Sequence, residues 1–263
     1  MRIATWNVNS LKARMSRVEE WIGYAQPDVL CLQETKVSDS AFPAMAFSAL
    51  GYESAYCGQG QWNGVAILSR VGLDDVVAGF TDEHEDEVTE ARLIWATCGD
   101  VRVASVYVPN GRMVGSEHYQ AKLAWLERLR RHIEADSDPN TPFVVCGDFN
   151  VAPEDRDVWD PTKLHGGTHV SGPERDAVLA LQQWGLVDVF RRLYDDDRLY
   201  SWWDYRAGDF HQHRGLRIDL VLATKPLAER ATFALIDRFA RKGKAPSDHA
   251  PLLVDFDLES EGS

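Results

Sequence analysis

The sequence is poor in cysteine, lacks long apolar runs and has no excess of basic charge. Its four cysteines, Cys31, Cys57, Cys98 and Cys146, are scattered and form no CxxC pair. Three of them sit in or beside apolar runs and read as reduced thiols used as small core residues. The longest apolar runs, such as 143–146, are strand-length and fall far short of the ~20 residues that span a bilayer. Residues 1–7 turn polar before an apolar signal region could form, so no export signal is expected and the expected compartment is the cytoplasm. Lys and Arg number 28 against 41 Asp and Glu, a net charge of −13. Taken alone, that balance argues against a phosphate-rich partner. The acid is segregated, however. Eight acids and no Lys or Arg lie between Asp74 and Glu90, and further acids cluster at Asp195–Asp197 and from Asp255 to Glu261. These runs read as solvated surface, and they leave the rest of the chain near neutrality. There is no GxSxG elbow, no P-loop, no GxGxxG and no HExxH, which removes the common hydrolase, nucleotide-binding and zinc-protease motifs.

What is present is core-forming. The 263 residues include 9 Trp, 10 Phe and 8 Tyr, enough to bury a sizeable core without staples. Strands are predicted at 2–8, 29–32, 65–68, 93–97, 101–108, 143–146, 218–222 and 252–256. A helix is predicted after Ser10, with Leu11, Met15, Val18 and Ile22 on one face and Pro27 ending it. A second runs from about 116 to 135, with Tyr119, Leu123, Leu126 and Ile133 as its buried stripe. A third starts near Pro173 and stops at Gly185. No linker interrupts the pattern, so residues 1–257 read as one domain and 258–263 as a short acidic tail. Hairpins mixed with helical crossovers indicate α/β with mixed sheets.

Polar residues recur at strand ends. Asn7 follows the first strand, Glu34 the second, and Tyr107 and Asn110 close the strand from 101. Asp148 and Asn150 follow 143–146, Asp219 lies in 218–222, and Asp248 and His249 precede 252–256. Each is ordinary alone, since a Gly-Asp after a strand is usually a turn. Together they place four carboxylates on four strands, with three Asn and one His alongside. That set suits a hard, oxygen-seeking cation such as Mg²⁺ better than zinc. It also supplies what phosphoester hydrolysis needs: a carboxylate and an Asn to aim a water, and an imidazole to meet a phosphoryl oxygen.

The ordered segments 6–9 (WNVN), 33–35 (QET), 107–110 (YVPN), 147–150 (GDFN), 217–219 (RID) and 247–249 (SDH) resemble those of the endonuclease/exonuclease/phosphatase superfamily. Segments 201–206 (SWWDYR), 214–220 (RGLRIDL) and 246–251 (PSDHAP) are especially similar to the bacterial exonuclease III and abasic-site endonuclease branch. The resemblance implies a four-layer α/β sandwich, two packed mixed β-sheets flanked by helices, with the site at one end of the sheets. It implies that Glu34 is the principal Mg²⁺ ligand (Mn²⁺ as substitute), with Asn7 beside it and Asp248 near the metal or paired with His249. Asp148 would orient or deprotonate the attacking water, with Asn150 helping to position it. His249, steadied by Asp219, would contact the phosphate, and Tyr107 and Asn110 would line the phosphate site. Trp202, Leu216 and Ile218 would form an apolar pocket for a flipped-out abasic sugar. Lys12, Arg14, Arg206, Arg214, Arg241, Lys242 and Lys244 are candidates for contacts to DNA phosphates.

The expected activity is therefore a Mg²⁺-dependent DNA repair nuclease that cleaves 5′ to abasic sites in double-stranded DNA and trims 3′ ends. It is expected to act as a monomer, without a membrane, at the bacterial nucleoid. One alternative is a phosphodiesterase or phosphatase of the same superfamily acting on a lipid or inositol substrate. Another is an inactive DNA-binding scaffold, which the retained Glu34, Asp148 and His249 argue against.

Overall fold

A computed structural model describes residues 1–81 and 90–258. The acids between Asp82 and Glu87, and those after Leu258, lie outside the described residues. Among the described residues there are twelve strands: β1 Arg2–Asn7, β2 Val29–Gln33, β3 Glu53–Cys57, β4 Val65–Ser69, β5 Asp74–Ala78, β6 Leu93–Cys98, β7 Val101–Tyr107, β8 Phe143–Asp148, β9 Leu186–Asp188, β10 Asp219–Thr224, β11 Ala231–Ile236 and β12 Leu252–Phe256. They form two six-stranded sheets, ordered β11-β12-β1-β2-β4-β3 and β5-β6-β7-β8-β10-β9.

Alternation along each central strand divides its side chains between two cores. In β2, Val29 and Cys31 point between the sheets while Leu30 and Leu32 point outward under a helix. In β8, Val144 and Cys146 point between the sheets and Phe143 and Val145 point outward. Because both faces are covered, these strands read as continuous apolar runs. The three cysteines predicted as core residues, Cys31, Cys98 and Cys146, all lie in the central layer.

The predicted first helix is Leu11–Ala25, capped by Ser10, and packs Leu11, Val18, Trp21 and Ile22 on the first sheet. The second is Glu117–Asp136 and the third Gly172–Trp184, both on the outer face of the second sheet. The result is helix, sheet, sheet, helix, the four layers expected. One stripe differs from expectation. Lys122 of the second helix is buried, whereas Leu123 is only half-buried.

Sheet direction gathers the site. β1 and β2 are parallel, as are β7 and β8, so the four strands deliver their C-terminal ends to one edge of the sandwich. β10 and β12 run antiparallel to β8 and β1, so their N-terminal ends arrive at the same edge. Gly147 permits the close pairing of β7 and β8. A Cβ there would stand 1.9 Å from the Val106 carbonyl oxygen, so no side chain fits.

Candidate active site

Three members of the site face one another across the two sheets. One ligand atom from each of Asp148, Asp219 and His249 lies within 4.8 Å of the others, and all three residues are buried. Asp148 and Asp219 are direct cross-strand partners in β8 and β10. His249 Nδ1 lies 2.8 Å from Asp219 Oδ2, and its Nε2 lies 3.7 Å from Asp148 Oδ2. Asp219 is itself seated by Ser201, whose hydroxyl oxygen accepts from the backbone N–H groups of Ile218 and Asp219 at 3.1 Å each. The His249 backbone is fixed from the first sheet, where Trp6 Nε1 donates to its carbonyl at 3.2 Å.

Asn7 joins this group to Glu34. Its Nδ2 donates to Glu34 Oε1 and to Asp148 Oδ2, both at 2.9 Å. Glu34 and Lys36 both adopt left-handed backbone, with φ of 49° and 51°. That conformation costs a non-glycine residue ~1–2 kcal/mol and persists where surrounding bonds fix it. Here the Thr35 and Lys36 N–H groups donate to the Gly64 and Asn63 carbonyls, and the Glu34 carbonyl accepts from Ser10. The strained turn places Glu34 at the rim, where Lys36 Nζ pairs with its Oε2 at 2.7 Å.

The pairing of His249 falls to Asp219, not Asp248. Both Asp248 oxygens face other partners. Asn9 Nδ2 donates to Oδ1 and Trp202 Nε1 to Oδ2, each at 3.0 Å. Asn9 in turn accepts from Lys36 at 2.6 Å, so Asp248 is linked to Glu34 through Asn9 and Lys36. Asn150 also acts differently from the simplest expectation. Its side-chain amide is held by Asn110 Nδ2 at 3.2 Å and by the Val108 carbonyl at 3.0 Å, and its backbone N–H donates to Asp148 Oδ1 at 2.9 Å. Tyr107 is the register partner of Asp148 across β7 and β8.

Electrostatics sort the protons. Burial disfavours a charged imidazole, but the carboxylates of Asp219 and Asp148 outweigh it and push His249 up to about 10. Burial raises Asp148 to about 7, against the opposing effect of the His249 charge. The two carboxylates thus favour a charged imidazole at His249. Burial, with the charges of Glu34 and Asp148, also raises the Tyr107 phenol, which stays protonated as a donor.

Beside the triad lies an apolar cluster in which Leu216 and Ile218 are buried and Trp202 is half-buried, together with Ala152, Val158 and Val170. The Trp202 backbone bridges to both Leu216 and His249, and its ring centroid lies 6.5 Å from that of the imidazole. The seven basic candidates separate. Arg241 is buried and donates to the Ser247 carbonyl, Arg14 to the Asn9 carbonyl, and Arg206 and Arg214 pair with Asp204 and Asp209. Lys12, Lys242 and Lys244 are exposed.

Sequence reasoning missed Lys122, Glu174 and His169 behind the site. The one signal was the spacing Ser171-x-x-Glu174, a capping box at the start of the third helix. Sequence reasoning quoted Arg217 within a motif but gave it no role, and Arg217 is wholly buried between Asp157 and Asp188.

Two stacked mixed sheets with carboxylates and an imidazole at their common edge define a phosphoester-hydrolysing fold. In agreement, residues 4–249 match the Endonuclease/Exonuclease/phosphatase family, and the chain belongs to it. Within that family it is 35% identical to exodeoxyribonuclease III of Haemophilus influenzae, over 97% of this chain and 100% of the relative. The structure of an AP endonuclease from Archaeoglobus fulgidus superposes with a TM-score of 0.93 at 41% identity, covering 98% of this chain and 100% of that one. A 3′ phosphatase from Neisseria, solved bound to a product DNA hairpin, gives 0.94 at 37% identity, covering 98% and 99%.

Proposed function

We propose that the chain is a Mg²⁺-dependent DNA repair nuclease. It hydrolyses the phosphodiester 5′ to abasic sites in double-stranded DNA, leaving a 3′-hydroxyl, and acts at 3′ ends as a phosphodiesterase and 3′→5′ exonuclease. The observation that carries this reading is the buried Asp148–Asp219–His249 group, tied through Asn7 to Glu34 and bordered by the apolar Trp202 cluster.

The donor set fits a hard divalent cation. It is rich in carboxylate oxygen, three of the four thiols are sequestered between the sheets, and Asp219 Oδ1 is buried with no hydrogen-bond partner among the described residues. Glu34 is the proposed principal protein ligand with Asn7 beside it, and Asp248 supports that side through Asn9. A bound Mg²⁺, or Mn²⁺ in its place, supplies charge neutralisation at the phosphate and at the departing oxygen.

The remaining chemistry belongs to the chain's own residues. Asp148, held by Asn7 and the Asn150 N–H, aims a water at phosphorus and takes its proton. His249, fixed by Asp219, donates from Nε2 to a non-bridging phosphoryl oxygen as charge develops there. The new O–P bond forms as the P–O3′ bond breaks, and the upstream 3′ oxygen leaves and takes a proton from solvent water. Tyr107 and Asn110 line the phosphate site. Trp202, Leu216 and Ile218 favour a sugar that carries no base, because a tight apolar pocket excludes an intact nucleotide. We further propose that residues 1–257 act as one catalytic domain, as a monomer, in the bacterial cytoplasm at the nucleoid, with 258–263 as an acidic tail.

The test is an end-labelled duplex with a single abasic analogue, incubated with Mg²⁺ or with EDTA. Incision 5′ to the lesion only with the metal is the expected result. Hydrolysis of sphingomyelin or an inositol polyphosphate with the abasic duplex left intact would reject the reading.

A further inference from the structure

The chemistry proposed above depends on the orientation of Asp148, and one of its oxygens is held by the Asn150 N–H. What holds Asn150 lies behind the site, between the two helices of the outer layer. Lys122 is fully buried, and its ammonium donates to the Asn150 carbonyl at 2.6 Å and reaches the Asn110 carbonyl at 3.4 Å. It also pairs with Glu174, which is fully buried as well. Glu174 accepts from the Ser171 N–H and hydroxyl, the His169 N–H and the Thr168 hydroxyl, so its carboxylate cannot move with the lysine. His169 Nδ1 lies 2.6 Å from the same Asn150 carbonyl. A carbonyl only accepts, so Nδ1 carries the proton and donates.

Every polar group of Asn150 is thereby committed, and its backbone is held at φ 51°. The bland explanation is an ion pair that merely joins two helices. That explanation leaves the remaining geometry unaccounted for. A buried ion pair is no better than an apolar pair of similar volume at joining helices. This one instead aims its spare donors at the backbone of two residues that border the phosphate site.

We infer that Lys122 is a positioning residue for hydrolysis, acting with Glu174 and His169 through the Asn150 carbonyl to fix the Asp148 carboxylate. The inference rests on the nuclease reading. Without the clamp the Asn150 turn relaxes, and a shift of ~1 Å in a reacting group can cost about 100-fold in rate.

The experiment compares the parent with Lys122→Met/Glu174→Gln, which removes both charges together and keeps an acceptor for the helix cap. Melting, affinity for abasic duplex by anisotropy, and single-turnover incision at saturating protein are measured, with rates expressed per folded molecule. A single-turnover rate lowered about 30- to 100-fold, with affinity within about threefold, is expected. A parent-like rate per folded molecule overturns the inference, because a merely structural pair would lower melting alone. His169→Asn, which leaves the ion pair intact, provides the second arm. A roughly tenfold slower rate at unchanged affinity is expected, and a parent-like rate in this folded variant counts equally against the clamp. Failure of the parent itself to incise abasic DNA would sink the nuclease reading instead, so the two failures are distinguishable.

Discussion

Asp148 and His249 lie 3.7 Å apart at their nearest polar atoms, and the proposed reaction gives them different roles. Asp219 takes one imidazole nitrogen and leaves Nε2 available, while Asn7 and the Asn150 N–H occupy the Asp148 carboxylate from behind. Replacing Asp148 by Asn keeps the shape and removes the proton acceptor. Incision is then expected to fall by roughly 10²–10⁴-fold, the usual contribution of a general base, while abasic duplex still binds in an anisotropy assay. Parent-like incision by this variant would remove Asp148 from the role assigned to it. At this scale the sequence singled out candidates that the structure brings to one edge. It did not reveal that the Asn150 side chain is occupied by Asn110 and Val108, or that Asp248 serves Trp202 and Asn9, because partners far apart in the chain decide which way an amide or carboxylate points.

The elements show a regular division. The eight strands expected from apolar runs are β1, β2, β4, β6, β7, β8, β10 and β12, and these are the interior strands of the two sheets. The four strands not foreseen are β3, β5, β9 and β11, which are the four edges. An interior strand is covered on both faces and flanked on both sides, so its composition is apolar throughout. An edge strand is short or half-solvated and carries charge, as Asp74 and Asp75 do in β5, and so resembles a loop. Part of the first acidic run is therefore exposed strand. Between elements, Arg217 binds both Asp157 and Asp188, with Arg191 also on Asp157. Arg217→Met would leave carboxylates buried without their partner, and a loss of about 3–5 kcal/mol is expected in urea unfolding. Burial works against the Asp157 charge, but Arg217 and Arg191 outweigh it and hold the carboxyl below its ordinary value. Its contribution to stability is therefore present above the unfolded carboxylate pKa of ~3.9 and is lost as pH falls through the lower folded value. The urea midpoint is expected to decline steeply below about pH 4, and less steeply in Asp157→Asn. Equal slopes in the two proteins would show that this carboxylate is not the group responsible.

Across the whole molecule, two sheets bring residues from 7 to 249 to one edge, so the site exists only when the sandwich is closed. On the proposed reading, cation binding and folding are coupled for that reason. A ligand held by the native state alone stabilises it by RT ln(1 + [L]/Kd), about 2.7 kcal/mol at 100 times Kd. Added Mg²⁺ is therefore expected to raise the melting temperature of the parent and to leave that of Glu34→Ala nearly unchanged. An equal rise in both would place the cation elsewhere.

The sequence by itself determined the layers and marked the candidate residues of the site. Apolar runs buried on two faces mark interior strands wherever they occur, and chemistry at strand ends is written as short local words such as 147–150 and 247–249. The tertiary structure alone decided the pairings: His249 with Asp219, Asp248 with Trp202, and Lys122 with the Asn150 carbonyl. The last two span 46 and 28 residues of chain, and the first spans 30. Local pattern carries no record of such partners, because their contact depends on strand direction and on the stacking of two sheets, not on neighbours in sequence.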